Sequence, residues 1–276
     1  MLGMNKVKIS AQDAVDDEGG SGSKLVKSIE SVFIEITLLT RFIIEFFKTL
    51  FSPPYEIKEL LKQCYIVGYK SLPLVGVTGF IMGLVLTIQS RPTLETFGAE
   101  SWLPAMVAVS IIREIGPVIT ALICAGKVGS GIGAELASMR VTEQIDAMEV
   151  SGINPFKYIV VTRILATTFM LPILVIFSDV IGLAGSFLAV NIQGDVSFSL
   201  FFAQIFAKLD FMDVFPPLIK TFFFGFAIGL IGCFKGYNSD KGTEGVGASA
   251  NSAVVISSLL IFIIDMMAVQ ITSLFS

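Results

Sequence analysis

Charged side chains inside apolar segments are the residues of this chain that could do chemistry. Arg113 and Glu114 are adjacent within one apolar segment, Asp179 and Asp265 lie within two others, and Lys235 ends a fourth. A charge at the centre of a bilayer costs about 2.5–3.5 kcal/mol on insertion scales, so each needs a charged partner or a watery cavity. Two interpretations stay open. Arg113 or Lys235 neutralises Glu114 or Asp265 to hold helices together, or the charges form a polar site for a charged headgroup.

Arg113 and Glu114 are neighbours in sequence and therefore about 100° apart around a helix. We expect that they do not face one neighbouring helix equally, and that one of them points toward a cavity or a second copy of the chain. We favour a transport role for Glu114, because a buried charge is a costly way to pack helices that glycine and alanine already pack.

Several catalytic chemistries are excluded. The chain contains no histidine, the commonest metal ligand and general base, which argues against zinc-protease and serine–histidine chemistry. The glycine-rich run 126–133 resembles a phosphate-binding loop, but a P-loop requires glycine at Ala121, Ser or Thr at Val128 and a preceding strand. The three cysteines are dispersed and indicate packing residues. We therefore predict no catalytic residue, metal or cofactor in this chain, so that any ATP is hydrolysed by another chain.

The elements that position these charges are membrane-spanning helices. The sequence is 54% hydrophobic and 15% charged, with 24 phenylalanines and a mean hydropathy of +0.81, far more apolar than a soluble domain. We predict an all-α polytopic membrane protein whose residues 24–276 form a single membrane domain. Five segments have about the 20 apolar residues that a bilayer core requires: 66–90, 103–125, 159–190, 215–234 and 253–274.

Pairs of glycines four residues apart predict where these spans pack closely. Such small-xxx-small pairs let helices approach in lipid, where no hydrophobic effect brings them together. The pairs are Gly79/Gly83, Gly225/Gly229 and Gly232/Gly236.

The distribution of Lys and Arg predicts the orientation. Of 19 basic residues, nine precede the first span or overlap its start, and six more fall on the same side if the spans alternate. The opposite side has only Arg91 and Lys208, while Arg113 and Lys220 lie within spans or at their edges. By the positive-inside rule, the N-terminus and the loops at 127–158 and 235–250 are cytoplasmic, and the C-terminus faces out.

The N-terminal region has two parts. Residues 1–23 are acidic and rich in glycine and serine, which predicts a disordered tail rather than a cleavable signal peptide. Between residues 24 and 51 apolar side chains recur at helical spacing, but charges interrupt any spanning run. This pattern predicts an interfacial helix along the membrane surface, ended by Pro53-Pro54, with a sixth span as the competing interpretation.

A strongly polar segment, residues 134–152, separates two long apolar segments and must therefore stand in water. Thr142 predicts the N-cap of a helix that begins at Glu143, and Ser151-Gly152 followed by Asn154-Pro155 predicts its end. The segment is either a solvated connection or a docking helix that takes up motion from a cytoplasmic partner. Leu136, Met139, Ile145 and Met148 can line one side, and Arg140, Glu143, Asp146 and Glu149 the others.

Two stretches carry a family resemblance: IIREIGPVITALICAGKVGSGIGAELASMRVTEQIDAMEVSGINP, and GCFKGYNSDKGTEGVGASANSAVV near the C-terminus. They resemble the MlaE-type permeases, the membrane subunits of MCE-associated ABC transporters. The resemblance covers about residues 25–275, and its Glu-Gln-Ile-Asp-Ala-Met segment is highly specific.

The resemblance implies partners and a substrate. Such permeases form homodimers that bind cytoplasmic ABC ATPase subunits, which hold ATP and Mg, and a ring of MCE proteins on the far side. A small cytoplasmic STAS-domain subunit is a further expected partner, and no nucleic acid is expected. The complex moves phospholipids between the inner and outer membranes of Gram-negative bacteria, which places this chain in the inner membrane.

The resemblance also implies roles for particular residues. Arg113, Glu114, Lys235 and Asp265 match polar positions in or near the lipid cavity. Residues 134–150 match the coupling helix that fits a groove in the ATPase. Its coupling residues would be Glu135, Arg140, Glu143, Gln144, Ile145, Asp146 and Met148.

Our interpretation is a permease subunit that hydrolyses no ATP and binds a two-chain lipid between two phenylalanine-rich protomers. Two other functions stay open at this point. An ion-coupled secondary transporter would bind protons or cations at Glu114 and Asp265, although the sequence has no detectable inverted repeat. A structural scaffold for the extracytoplasmic ring is the third possibility.

Overall fold

The computed structural model describes residues 21–53, 55–192, 196–240 and 242–274, and within these ranges the secondary structure is helical, without strands. Five helical segments are long and apolar enough to cross a membrane, which confirms the predicted all-α polytopic fold. We call them spans 1 to 5: Ile57–Thr96, Glu100–Val141, Phe156–Ile192, Phe211–Tyr237 and Thr243–Ser273.

The described residues form eleven α-helices. Helix α1 stands outside the spans, α2 and α3 form most of span 1, α4 to α6 belong to span 2, and α8 to span 3. Helices α7 and α9 are connecting helices, and α10 and α11 are spans 4 and 5. Their bounds are α1 Ser21–Leu50, α2 Ile57–Val67, α3 Leu72–Thr96, α4 Leu103–Ser110, α5 Gly116–Cys124, α6 Ser130–Val141, α7 Gln144–Val150, α8 Thr162–Ile192, α9 Phe198–Phe206, α10 Phe211–Tyr237 and α11 Thr243–Ser273.

Helix α1 belongs to a unit of its own, which ends at Lys48. The helix begins at Ser21, three residues before the predicted start of the interfacial helix at residue 24. Residues 21–23, which were predicted to belong to the disordered tail, are therefore helical. The rest of the predicted tail, residues 1–20, lies outside the described ranges. Phe33, Ile36 and Phe47 are exposed on α1, as a helix at a membrane surface requires, but its placement there stays a prediction.

Three π-helical segments interrupt the second and third spans: Ile111–Ile115 (π1) and Ala125–Gly129 (π2) in span 2, and Phe156–Val161 (π3) at the start of span 3. Such segments insert an extra residue per turn and occur frequently at functional sites. The glycine-rich run 126–133 thus lies in π2 and α6, inside a helix. It does not follow a strand, so the rejection of a P-loop agrees with the structure.

The glycine pairs lie where the spans touch. Gly83 of span 1 packs directly on the backbone carbonyl of Gly182 in span 3. A Cβ atom at Gly225 of span 4 would lie 2.5 Å from the carbonyl oxygen of Thr167, and one at Gly236 would lie 2.6 Å from that of Gly133 in span 2. These contacts leave no room for a side chain, which confirms the predicted close packing.

Span 4 is the most buried of the five, since it packs against spans 2, 3 and 5, whereas span 5 is the least buried. Cys124 and Cys233 are free and buried, and Cys64 is free and half-buried, as expected for packing residues. The spans alternate in direction, so spans 1, 3 and 5 end, and spans 2 and 4 begin, at the same end of the bundle. We call this the cavity end, because a cavity opens there.

Candidate functional site

A buried lysine joins three spans within the membrane domain. The Nζ atom of Lys220 on α10 lies 2.7 Å from Oε2 of Glu114 on π1 and 2.8 Å from Oδ1 of Asp265 on α11, and it donates a hydrogen bond to each. Only 4% of Lys220 is exposed. One ammonium group therefore neutralises carboxylates from spans 2 and 5 at the same depth.

A second ion pair joins the same two helices, π1 and α10. The Nε atom of Arg113 lies 2.8 Å from Oδ1 of Asp213. Asp213 and Lys220 are seven residues apart, about two helical turns, and so share one face of α10. Arg113 and Glu114 were expected not to face one neighbouring helix equally, yet both pair with α10, because their long side chains diverge and reach two turns of that helix. Both also line a cavity, where one of them was expected.

The predicted ion pairing was also wrong in its cation. Neither Arg113 nor Lys235 pairs with Glu114 or Asp265, since Lys220 takes both carboxylates. Lys235 lies 15 residues further along α10, roughly 22 Å away along the axis, beside the ring of Phe234 at 5.9 Å. Lys235 is therefore not part of the cluster that contains the other three predicted cavity residues.

A depth count on the helix bounds of the structure explains why Lys220 meets Asp265. Lys220 follows the first residue of span 4 by nine residues, and Asp265 precedes the last residue of span 5 by eight. In antiparallel neighbours these positions lie at the same level, because each residue advances about 1.5 Å along a helix. The basic-residue count had placed Lys220 at the edge of a span and so left it without a partner.

A cavity of about 500 Å³ opens beside this cluster at the cavity end of the bundle. The side chains of Arg113 and Glu114 are 48% and 47% exposed in this chain, so each faces the cavity as well as its partner. Three carboxylates and two cations give the cluster a formal charge of −1. The rest of the lining is mainly apolar and comes from α10 and α11: Met212, Pro216, Pro217, Ala268, Val269, Ile271, Thr272 and Ser273.

Asp179 of span 3 lies outside the cluster. Its Oδ1 atom is buried and has no hydrogen-bond partner among the described residues. The carboxylate packs against Gly116, the first residue of α5, directly after π1. Glycine is required there because a Cβ atom would overlap the carboxylate. Asp179 thus contacts the backbone next to Arg113 and Glu114 without reaching the cavity.

The predicted coupling segment, residues 134–150, is two helices rather than one. Helix α6 ends at Val141, and α7 begins at Gln144. Glu143 between them has a left-handed backbone with a φ of 56°, which turns the chain. The prediction of Thr142 as N-cap was wrong, since its hydroxyl donates to the carbonyl of Ser138 at 2.8 Å and so completes α6. The predicted end is confirmed, with Gly152 at a φ of 79°.

The predicted coupling residues divide into anchors and exposed positions. Ile145 is fully buried and fixes α7 to the rest of the domain. Arg140 pairs with Asp146 at 3.1 Å, and Glu135 pairs with the buried Arg163 at 2.9 Å. The remaining positions are Glu143 and Gln144, which are exposed, and Met148, which is half-buried.

Sequence reasoning missed Val150, the last residue of α7. It is 91% exposed, the largest exposed fraction of any large apolar side chain in the described ranges. Its exposure follows from the burial of Ile145, five residues earlier, which turns Val150 to the opposite side of a short helix. The sequence did indicate this exposure. Val150 directly precedes Ser151-Gly152 and does not lie on the apolar side that Leu136 and Ile145 form.

Comparison with known proteins gives a consistent result. Residues 60–271 match the family model described as Permease MlaE. A probable ABC transporter permease protein of Rickettsia prowazekii is 41% identical over 215 residues, which cover 78% of this chain and 83% of the relative. A similar protein of Synechocystis is 37% identical over 206 residues, or 75% and 78% of the two chains. The intermembrane phospholipid transport system permease protein MlaE of Haemophilus influenzae is 33% identical over 207 residues, 75% of this chain and 79% of that protein.

Proposed function

The chain belongs to the MlaE permease family, and we propose that it is the subunit of an ABC transporter that moves phospholipids between the inner and outer membranes of a Gram-negative bacterium. As a multi-pass ABC transporter permease it is a transport subunit rather than an enzyme. The name of the Haemophilus relative supports the phospholipid substrate. Membership of this family also argues against an ion-coupled carrier, since a separate ATPase supplies the energy for transport by ABC permeases.

The observation that carries the proposal is the charged cluster beside a mainly apolar cavity. The guanidinium group of Arg113 offers paired donors that match a phosphate group, and it is half exposed to the cavity. The carboxylate of Glu114, also half exposed, can accept hydrogen bonds from the amine of a zwitterionic headgroup. Acyl chains would lie against the apolar lining from α10 and α11.

A second copy of the chain would complete the cavity. Span 5 contributes Ala268 and Val269 to the lining and is the least buried span. Its exposed side chains include Leu259, Phe262 and Met266. A two-fold contact along this face would bury these side chains and join the cavities of two protomers into one of a size suited to a two-chain lipid.

Span 2 offers the mechanical connection between an ATPase and the cavity. It runs without a loop from Glu114 in π1 to Val141 at the turn before α7. Val141 and Glu114 are 27 residues apart, roughly 40 Å along the helix axis. A movement of α7 imposed by a cytoplasmic ATPase would therefore pass along one helical rod to Arg113 and Glu114. The interruption at π2 provides a place where this rod can change its geometry.

The other partners of the proposal follow from the family resemblance. ATP and Mg would be bound by the ATPase. A ring of MCE proteins would receive or deliver lipid at the cavity end, which the positive-inside rule places outside the cytoplasm. A small STAS-domain subunit would join the ATPase on the cytoplasmic side.

Co-purification from the native host followed by mass spectrometry of extracted lipids tests this function. We expect an ABC ATPase and phospholipid in the unaltered complex, and less phospholipid per complex in Arg113→Gln. Arg91→Gln is the matched control, because Arg91 also pairs with a carboxylate, Glu95 at 2.8 Å, but does not line the cavity. Absence of the ATPase would refute the ABC proposal. An ATPase with equal lipid in both variants would favour the scaffold.

The same preparation tests the coupling segment. Glu143→Lys with Asp146→Lys should weaken ATPase association, because both reverse a charge at a contact that docking desolvates. Asp146→Lys also removes the ion pair with Arg140, so Asp146→Asn serves as the control for loss of that pair alone. Unchanged ATPase binding and lipid transport in the double variant would reduce residues 134–150 to a connection.

A further inference from the structure

The short helix α9, which connects spans 3 and 4 at the cavity end, has exposed apolar side chains in addition to its buried ones. Phe201 and Ile205 are fully buried in a cluster with Leu103 and Val107 of α4. Leu200 and Phe206 flank this buried face and are exposed, Phe206 by 72%, and Phe198, one turn before Phe201, is also exposed. An exposed aromatic face of this kind on a connecting helix marks a contact with something other than water.

The depth of α9 identifies what covers this face. The ring of Phe198 packs against the ring of Phe187 with 5.4 Å between centroids. Phe187 precedes Ile192, the last residue of span 3, by five residues, which places it about 7.5 Å inside the end of that span. Interfacial helices bury their apolar face to a depth of about 5–10 Å. Helix α9 therefore packs beside span 3 before the last described residue of that span, a position that suits an interfacial helix.

A tryptophan and a lysine lie at the same end. The Nζ atom of Lys208, two residues after α9, is 4.3 Å from the ring centroid of Trp102, which directly precedes α4. Both side chains are exposed, and within the described ranges Lys208 forms no ion pair. Tryptophan concentrates at membrane interfaces, and an exposed ammonium group there complements lipid phosphate.

We propose that α9 and the Trp102–Lys208 pair form a phospholipid-binding surface in the leaflet at the cavity end. Phe198 and Phe206 insert among the acyl chains, and the ammonium group of Lys208 contacts a lipid phosphate. Residues 207–210 lead directly from α9 into α10, whose Met212 lines the cavity. Lipid held on α9 therefore lies beside the cavity. The lipid-binding surface does not depend on the proposed function; only a role of this lipid at the cavity rests on it.

Trp102 is the only tryptophan of the chain, so its fluorescence reports on this surface alone. The full chain is reconstituted in vesicles whose lipids carry bromine atoms near the headgroup end of the acyl chains. We expect these lipids to quench Trp102 more strongly than aqueous iodide does. Stronger quenching by iodide than by brominated lipid would overturn the proposal, because α9 would then stand in water.

Matched variants test the two contacts separately. Phe198→Ser with Phe206→Ser should reduce lipid quenching, while Phe33→Ser, an equally exposed phenylalanine on α1, should leave it unchanged. When the bromine atoms are carried by phosphatidylglycerol in one preparation and by a neutral lipid in another, quenching of Trp102 should show an approximately fivefold preference for phosphatidylglycerol. Lys208→Gln should abolish this preference, and Lys208→Arg should retain it. Equal quenching in the serine variants, or an unchanged preference in Lys208→Gln, would contradict the corresponding contact.

These measurements need neither an ATPase nor transport. A failure of the proposed function would leave the quenching pattern intact. A failure of the α9 surface would leave ATPase binding and bound lipid intact.

Discussion

Lys220→Met separates the structural part of the charged cluster from the part that acts on lipid. The change removes one buried ammonium group and leaves both Glu114 and Asp265 without the cation at 2.7 and 2.8 Å. Removing one partner of a buried ion pair costs about 3–5 kcal/mol. At about 2–4 °C per kcal/mol for a chain of this length, the midpoint of thermal unfolding should fall by roughly 6–20 °C.

Glu114→Gln should behave differently, although it removes the other end of the same contact. Lys220 keeps Asp265 as its partner. Because Glu114 is 47% exposed, solvent weakens the ion pair between Glu114 and Lys220. We expect a fall in the unfolding midpoint well below that of Lys220→Met, together with a change in bound lipid or in the ATPase activity of the assembled complex.

The assay is thermal unfolding of the purified complex, measured beside its ATPase rate and its phospholipid content per folded complex. Asp265→Asn is the control, because Asp265 pairs with the same ammonium group and is less exposed than Glu114. If Glu114→Gln destabilised the complex as much as Lys220→Met and left lipid content normal, the transport role of Glu114 would be refuted. Glu114 would then serve only to hold spans 2 and 4 together.

Three further predictions concern orientation, docking and packing. Cysteines introduced at Ser21 and Ser276, in a variant without the native cysteines, should be labelled by impermeant reagents from opposite sides; labelling of both from one side would contradict the five-span topology. Val150→Asp should weaken ATPase association without lowering thermal stability, since this side chain is 91% exposed, and normal association would exclude it from the docking surface. Gly83→Ala should destabilise the domain by about 1–3 kcal/mol, because its Cβ atom would overlap the backbone carbonyl of Gly182, whereas Gly126→Ala, with open space around it, should not; equal unfolding midpoints would show that spans 1 and 3 can move apart.

The spans and their close contacts could be predicted because they depend on local properties. Twenty apolar residues cross a bilayer whatever their neighbours are, and a pair such as Gly79/Gly83 marks close packing without naming the partner helix. The ion pairs could not be derived in this way, because they depend on which helices become neighbours. Arg113 and Lys235 were reasonable cations for Glu114 by type, and only the packing of span 4 against spans 2 and 5 selected Lys220.

The turn at Thr142 was mispredicted for a related reason. A threonine before a charged helical stretch is a good N-cap in isolation, and the same hydroxyl can instead bond back to the carbonyl four residues earlier. Helix α6 continues span 2, so its last turn was already formed and Ser138 was available as acceptor. The break then moved to Glu143, which takes the left-handed conformation that a tight turn between two helices requires.

Burial bears on the choice between structural pairing and a functional polar site, because the cluster contains both buried and exposed charges. Lys220 is 4% exposed and bonded to two spans, as expected of a group that holds helices together. Arg113 and Glu114 are about half exposed to a cavity, although packing alone would favour covering their charges. The buried partners, Asp213 and Lys220, lie on one face of α10 and hold the two exposed charges at fixed positions. A site that must recognise a charged headgroup and yet release it would use this arrangement, in which the fixed charges stay paired and only their exposed edges meet the lipid.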